Sequence, residues 1–408
     1  MMHERVPTSF EVTGNNKYSL QLARWFLIPI GAWPQLSTAT KTRKLLSHVH
    51  VLASSFFVAV IMVPCILYVT MEEKDNEIRL NTIGPLSHWI MGIIKYILLI
   101  AHGDNIRKCV RHMETDWRLV RKIEDQRVML RYAKIGRYVT GFCAVFMQCG
   151  TLLFVVGKSL STTIIVIGNE TVSVHPMACQ TIHSFVDTRY SPGNEIMAIT
   201  HVLSCLVVNA IAVGACSLDA IFAIHAHGQL NVLFSWLRDL VSNDKKSNVE
   251  QQLAVVVEHH LRVLSFISRI ESIMQHISLV ELLGCTMNMC LLAYYFITNI
   301  ETFDGAKTMS YVIVYVSITF NMFILCYIGE LLTEQCKNVG EKAYMVNWYE
   351  LPPKTALGFV LIIAQSNNVV KLTAGKFFHL SIATFGDVIK TSMVYLNMLR
   401  TMAPSATN

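Results

Sequence analysis

The sequence predicts an all-α, polytopic membrane protein: seven transmembrane helices, the seventh split, a cytoplasmic N-terminus and an extracellular C-terminus. Three observations carry that reading. Of 408 residues, 53% are hydrophobic and only 15% charged, with a mean hydropathy of +0.43, whereas soluble domains carry about 25% charged residues. Seven apolar runs approach the roughly 20 residues needed to cross a bilayer. Lys and Arg also concentrate in alternate connecting segments, as the positive-inside rule requires. The composition excludes an ordinary soluble enzyme and a disordered chain. The 20 Gly follow no period, and the 11 Cys are dispersed without a C-x-x-C pair, so collagen, disulfide-scaffold, zinc and redox readings fail.

The spans lie at 45–70, 81–101, 138–156, 196–218, 282–300, 308–329 and 377–399. The fourth continues its pattern past Asp219 to Trp236. A polar start and a late first apolar run predict no cleavable leader, leaving residues 1–44 as a cytoplasmic segment and 45–346 as spans one to six with helical extensions. Outside the cytoplasm stand only Lys74, Arg79, Lys158, Arg189, Lys307 and Arg400; apart from Lys95 and Lys390, within spans, the other basic residues fall inside. Asn169-Glu170-Thr171 is a glycosylation sequon in a loop expected outside. This polarity is opposite to that of a G-protein-coupled receptor. No Asp-Arg-Tyr follows span three, and no Asn-Pro-x-x-Tyr lies in span seven. A secondary transporter would show inverted repeats and broken helices at the midplane.

The cytoplasmic loops read as helices. Ile106, Val110, Met113, Trp117 and Val120 recur at helical spacing opposite Arg107, Arg111, Glu114, Arg118 and Arg121. Val249, Leu253, Val256, Leu264, Ile267 and Met274 repeat the theme. These stripes are buried either within one subunit or between subunits. Residues 347–371 form a cytoplasmic anchor: Pro352-Pro353 turns the chain, residues 355–365 make a helix too short to cross, and Gln365-Ser366-Asn367-Asn368 ends it. The crossing helix then occupies 372–402, with a tail at 403–408. Lys95 is expected to snorkel to the interface, and Asp219 and Glu281 to be solvated. Asp387 and Lys390, at i, i+3 in span seven, either pair locally or line a vestibule.

The last 65 residues carry a resemblance. Leu372-Thr373-Ala374-Gly375-Lys376-Phe377-Phe378, Leu380-Ser381, Thr384-Phe385, Lys390-Thr391-Ser392, Tyr395 and Leu399-Arg400 resemble the signature of insect odorant receptors, as do Tyr344, Trp348-Tyr349 and Leu351-Pro352 upstream. His379, Val369 and Met393-Val394 depart from that pattern. The chain lacks the long insertion of the shared olfactory co-receptor between spans four and five, and so resembles an odour-specific tuning subunit. The resemblance implies an odorant-gated, nonselective cation channel, a heterotetramer with olfactory co-receptor subunits in the plasma membrane of olfactory sensory neurons. Its further implied partners are a volatile small-molecule odorant, cations and the lipid bilayer; independently, no Walker loop, nucleophile elbow or zinc-protease motif appears, and basic residues interleaved with acids predict no enzyme, cofactor or nucleic-acid role.

In such channels the outer halves of spans two, three, four and six enclose the odorant. The candidates here are Tyr311 and Tyr315 first, then Gln148, Thr151, Phe154, His201, Ser204, His88 and Trp89. Aromatic walls with a few hydroxyls suit a volatile apolar ligand; inter-helix packing is the competing role for each. For the pore, Tyr395, Met398 and Met402 share one face of span seven. Met398 and Met402 resemble the family's gate positions, where apolar rings close a pore by dewetting. His225, His227 and the pair His259-His260 lack the accompanying ligands of a metal site.

Overall fold

The computed structural model describes residues 9–35, 40–120, 122–167, 170–181, 188, 190–242, 249–298, 305–368 and 370–402. Asn169, Asp187, Arg189 and the tail 403–408 lie outside them.

The helices are α1 (Ser9–Leu27), α2 (Lys41–Leu67), α3 (Asn76–Ala101), α4 (Gly103–Leu119), α5 (Ile123–Leu160), α6 (Gly193–Ser242), α7 (Val249–Thr298), α8 (Gly305–Met345), α9 (Pro353–Asn367) and α10 (Ile382–Met402). Among the described residues, six are long and apolar enough to cross a membrane: α2, α3, α5, α6, α7 and α8. The seventh in order, α10, has 21 residues, enough for the hydrocarbon core, but carries Asp387 and Lys390. Both α6 and α7 run for 50 residues, about 75 Å at 1.5 Å per residue, well beyond a bilayer of about 30 Å. The expected helical extensions are therefore continuous with the spans.

α6 sits at the centre, contacting α1, α2, α3, α5, α7 and α8. From Ile211 to Leu230 every residue is buried or half-buried, whereas Ile196, Ile199, Leu203 and Leu206 near its start are exposed. On α4 the predicted stripe is realised: Ile106, Met113 and Trp117 are buried. Val249, Leu253, Val256, Ile267 and Met274 of α7 are buried as well. Because this burial occurs within one chain, the stripes are accounted for without a second subunit.

The structure corrects four expectations. Lys95 does not snorkel: it is buried and forms an ion pair with Glu281 of α7. An intramembrane ammonium that meets a carboxylate of a neighbouring helix has its counter-charge inside the bundle. Glu281 is accordingly drawn into the bundle, its other oxygen accepting from Asn321 of α8 at 2.5 Å. Asp219 is also buried, at 4% exposure, because the central α6 has no solvated face there. Finally, the crossing helix begins at Ile382 rather than at 372.

The ten residues before it form a small hairpin, with Thr373 paired to His379 and Ala374 to Phe378. Its turn requires positive φ at Gly375 and Lys376, both at 63°, a conformation only Gly adopts freely. The hairpin is pinned to α7: Glu271 accepts from the Thr373 N–H at 2.8 Å and from the Thr373 hydroxyl, and the Gly375 N–H donates to the Gln275 carbonyl at 2.8 Å. A second hairpin, β1 (Thr163–Ile167) with β2 (Glu170–Val174), lies between α5 and α6 and flanks the sequon.

Candidate ligand cavity

Four helices converge on one cavity of about 260 Å³. From α3 come Asn81, Gly84, Pro85, His88 and Trp89; from α5, Thr151, Phe154, Val155 and Lys158; from α7, Asn288, Leu291, Leu292 and Tyr295; from α8, Tyr311, Val314, Ser317 and Ile318. Local sequence explains how α3 opens onto it. Pro85 has no N–H to give the carbonyl one turn back, and Gly84 lets Tyr295 approach, since a β-carbon there would stand 3.1 Å from the tyrosine oxygen.

The walls are aromatic. Tyr311 lies between Phe154, at 5.9 Å between ring centroids, and Tyr295, at 6.1 Å. Trp89 is edge-on to His88 at 6.0 Å and to His201 at 5.6 Å. Its indole N–H donates to the Ser204 hydroxyl at 2.7 Å. Lys158 holds its ammonium 4.9 Å from the Phe154 ring, a cation–π contact.

Most polar groups of the lining are occupied by the protein itself. Thr151 donates to the Met147 carbonyl at 3.1 Å, Ser317 to the Phe146 carbonyl at 3.0 Å and Tyr295 to the Leu80 carbonyl. Asn288 donates to the Gly284 carbonyl at 3.0 Å and accepts from Ser87 at 2.9 Å. Among the described lining residues, the buried side-chain nitrogen without a partner is His88 Nε2. The cavity therefore offers aromatic and aliphatic surface, with Asn81, Lys158 and the Tyr311 hydroxyl among its polar lining beside His88.

Of the nine predicted contact residues, five line this cavity: His88, Trp89, Thr151, Phe154 and Tyr311. The other four do not. Tyr315 lies past the edge of the α8 face set by residues 311, 314 and 318, half-buried against the main core. Gln148 accepts from Asn209 of α6 at 3.4 Å. His201 and Ser204 stand behind Trp89, and His201 Nε2 accepts from the Cys179 N–H at 3.2 Å. Sequence reasoning missed the whole contribution of α7. Asn288, a lone amide in an apolar run, and the Tyr294-Tyr295 pair near the helix end were the available signals.

A second, open groove of about 630 Å³ runs between α7 and α10, with Ile83 of α3 at one edge. Tyr395 and Met398 line it together with Thr286, Met287, Asp387 and Thr391. Both are exposed on the single chain, and Asp387 pairs with Lys390 at 3.8 Å on the same exposed surface. Nothing is described of the Met402 side chain. Leu291 belongs to both lining sets. Tyr295, Leu291, Leu396 and the adjoining Tyr311 and Leu399 form one apolar cluster joining the cavity to α10.

An aromatic cavity inside a multi-pass helical bundle defines a membrane receptor for a small molecule. The sequence profile described as 7tm Odorant receptor matches residues 78–393, and the chain belongs to that family. It is 24% identical over 388 residues to Odorant receptor 82a of Drosophila melanogaster, covering 94% of this chain and 98% of that one. Odorant receptor 2a of the same fly is 24% identical over 72% of this chain and 75% of its own length. A 145-residue stretch is 26% identical to the Odorant receptor coreceptor of Aedes aegypti, 35% of this chain and 30% of that one. The fold is shared with the insect olfactory receptor OR5 of Machilis hrabei, solved in complex with eugenol: TM-score 0.79, 14% identity, covering 96% of this chain and 99% of that one.

Proposed function

We propose that this chain is the odorant-binding subunit of an odorant-gated cation channel, assembled with co-receptor subunits in the plasma membrane of olfactory neurons. The observation that carries the reading is the shared apolar cluster: a ligand touching Tyr311, Tyr295 and Leu291 presses on the residues that hold Leu396 and Leu399 of α10. A ligand that fits the cavity better when α10 is displaced shifts the equilibrium toward that state by its difference in affinity. The ligand class is a small aromatic or terpenoid volatile with one polar function, set by the aromatic walls and by His88. The OR5 relative was solved in complex with eugenol, an aromatic compound. The bias of Lys and Arg supports a cytoplasmic N-terminus. There the exposed Leu357, Val360 and Leu361 of α9 form an apolar face suited to the partner subunits.

Co-expression with the co-receptor in cells without G-protein signalling tests this. Odorants are expected to open a current within milliseconds. Phe154→Ala, at a half-buried wall of the cavity, removes about 2 kcal/mol of aromatic contact and is expected to raise the half-maximal concentration on the order of 30-fold while surface expression stays normal. An odour response seen only through a G-protein readout would assign the chain to the G-protein-coupled class instead.

A further inference from the structure

Below the ligand cavity, a second and much smaller space of about 20 Å³ is enclosed by α6, α7 and α8. Its polar lining is Asp219 of α6, Ser278 and Glu281 of α7, and Asn321 of α8, with the Cys216 thiol beside them. Asp219 and Asn321 are 4% and 5% exposed. Both Asp219 Oδ1 and Asn321 Oδ1 are buried without a partner. Each is an acceptor, so the space asks for something that donates or is positive.

Charge decides between those two. Lys95 is the basic group at this level of the bundle, and it is committed to Glu281. Glu281 Oε1 also accepts from the Asn321 amide N–H and, at 3.3 Å, from the Cys285 thiol. Asp219, when ionised, is then without a counter-charge in this lining. The next ionisable group toward it is another carboxylate, Glu271, itself occupied by Thr373. A neutral water would satisfy the two oxygens and leave the charge. One monovalent cation satisfies both. A divalent ion would overshoot the balance and takes six to eight oxygens, more than this lining supplies. The volume is that of a single water-sized sphere, which favours sodium over the larger potassium.

We infer that this cavity is a sodium-ion site, with Asp219 and Asn321 supplying the unpartnered oxygens and Ser278 and Glu281 completing an oxygen lining. Its placement gives the ion a task. It ties together three helices, two of which also wall the ligand cavity: Ser317 lies one turn from Asn321, and Asn288 two turns from Glu281. Sodium therefore stiffens the floor on which the odorant rests. The site itself stands on Asp219 and Asn321 and does not depend on the channel reading.

Thermal unfolding of the purified full-length chain in detergent, at constant ionic strength, reads it directly. The melting temperature is expected to be higher in sodium chloride than in potassium or N-methylglucamine chloride, by a shift that saturates with sodium. In Asp219→Asn, which keeps the volume and removes the charge, that sodium dependence is expected to vanish. In Asp387→Asn, on the exposed face of α10, it is expected to persist. Should Asp219→Asn not fold, the wild-type chain alone decides through binding of radioactive sodium, expected to saturate near one ion per chain and to be displaced by unlabelled sodium. Equal melting temperatures in the three salts and no saturable sodium binding would overturn the proposal and leave a water or a protonated carboxyl in the cavity.

Discussion

A single carboxylate, Asp116, locks the helices on the side of the molecule away from the ligand cavity. It is 3% exposed and accepts from His225 Nε2 of α6 at 2.9 Å. From α7, Arg262 gives it both Nε at 2.9 Å and Nη2 at 2.8 Å. His112 lies 3.7 Å away. Burial alone would raise this carboxyl, but the hydrogen bond and positive charge of His225, with His112 and Arg262, hold it below the usual carboxylate range. A depressed folded value contributes stability above about pH 4 that is lost as pH falls through it. Asp116→Asn is expected to cost about 3–5 kcal/mol, because it leaves the half-buried Arg262 guanidinium and the buried His225 ring without their carboxylate. Its melting-temperature deficit relative to wild type is expected to shrink below about pH 4; a deficit independent of pH would show that packing, not charge, is responsible. At the other end, His88→Leu is expected to weaken odorants bearing a hydroxyl or carbonyl by about tenfold, the worth of one buried hydrogen bond, and to leave their hydrocarbon analogues unchanged. Dose–response curves for matched pairs check this, and an equal loss for both members would remove His88 as the polar anchor.

At the scale of elements, the long helices were readable from the sequence and the short non-helical pieces were not. Helical stripes such as Ile106, Met113 and Trp117 predicted α4 because its period survives burial. The run from Leu372 to Leu380 read as the start of span seven, since periodicity cannot separate a short apolar strand from an apolar helix. The decisive facts are tertiary: Glu271 capturing Thr373, and positive φ at Gly375. The same limit explains the cavity. His88, Trp89, Phe154 and Tyr311 were legible as aromatic or polar residues at one end of apolar runs. The role of α7 depended on the rotation of a 50-residue helix, and Tyr315 missed the cavity by a fraction of a turn. Gly375→Val tests the hairpin. Its β-carbon would meet Leu279 Cδ2 at 2.7 Å, at a φ that β-branched residues resist. Strain and the clash together are expected to cost about 2–4 kcal/mol, read as a lower melting temperature. An unchanged melting temperature would show that the hairpin does not hold α10 to the bundle.

At the scale of the whole molecule, the proposed channel reading turns on the two faces of α10. One stripe, Val388, Ser392 and Leu396, is buried against the bundle. The rest, including Thr391, Val394, Tyr395 and Met398, is exposed. A helix that crosses a membrane with Asp387 and Lys390 on its open side is costly against lipid and comfortable against water. Assembly of several subunits around that side would enclose a wet path, narrowed by apolar side chains such as Met398 that open and close it by wetting. Cysteines placed singly at 391, 395 and 398, in a chain co-expressed with the co-receptor, are expected to react with a charged, membrane-impermeant thiol reagent. The reaction at 398 is expected to be faster with odorant present than without. Cysteines at 388, 392 and 396 are expected to remain protected in both states. If every exposed-face position stayed unreactive while odour-evoked current was normal, the permeation path would run elsewhere, and α10 would act as the lever between cavity and pore rather than as its wall.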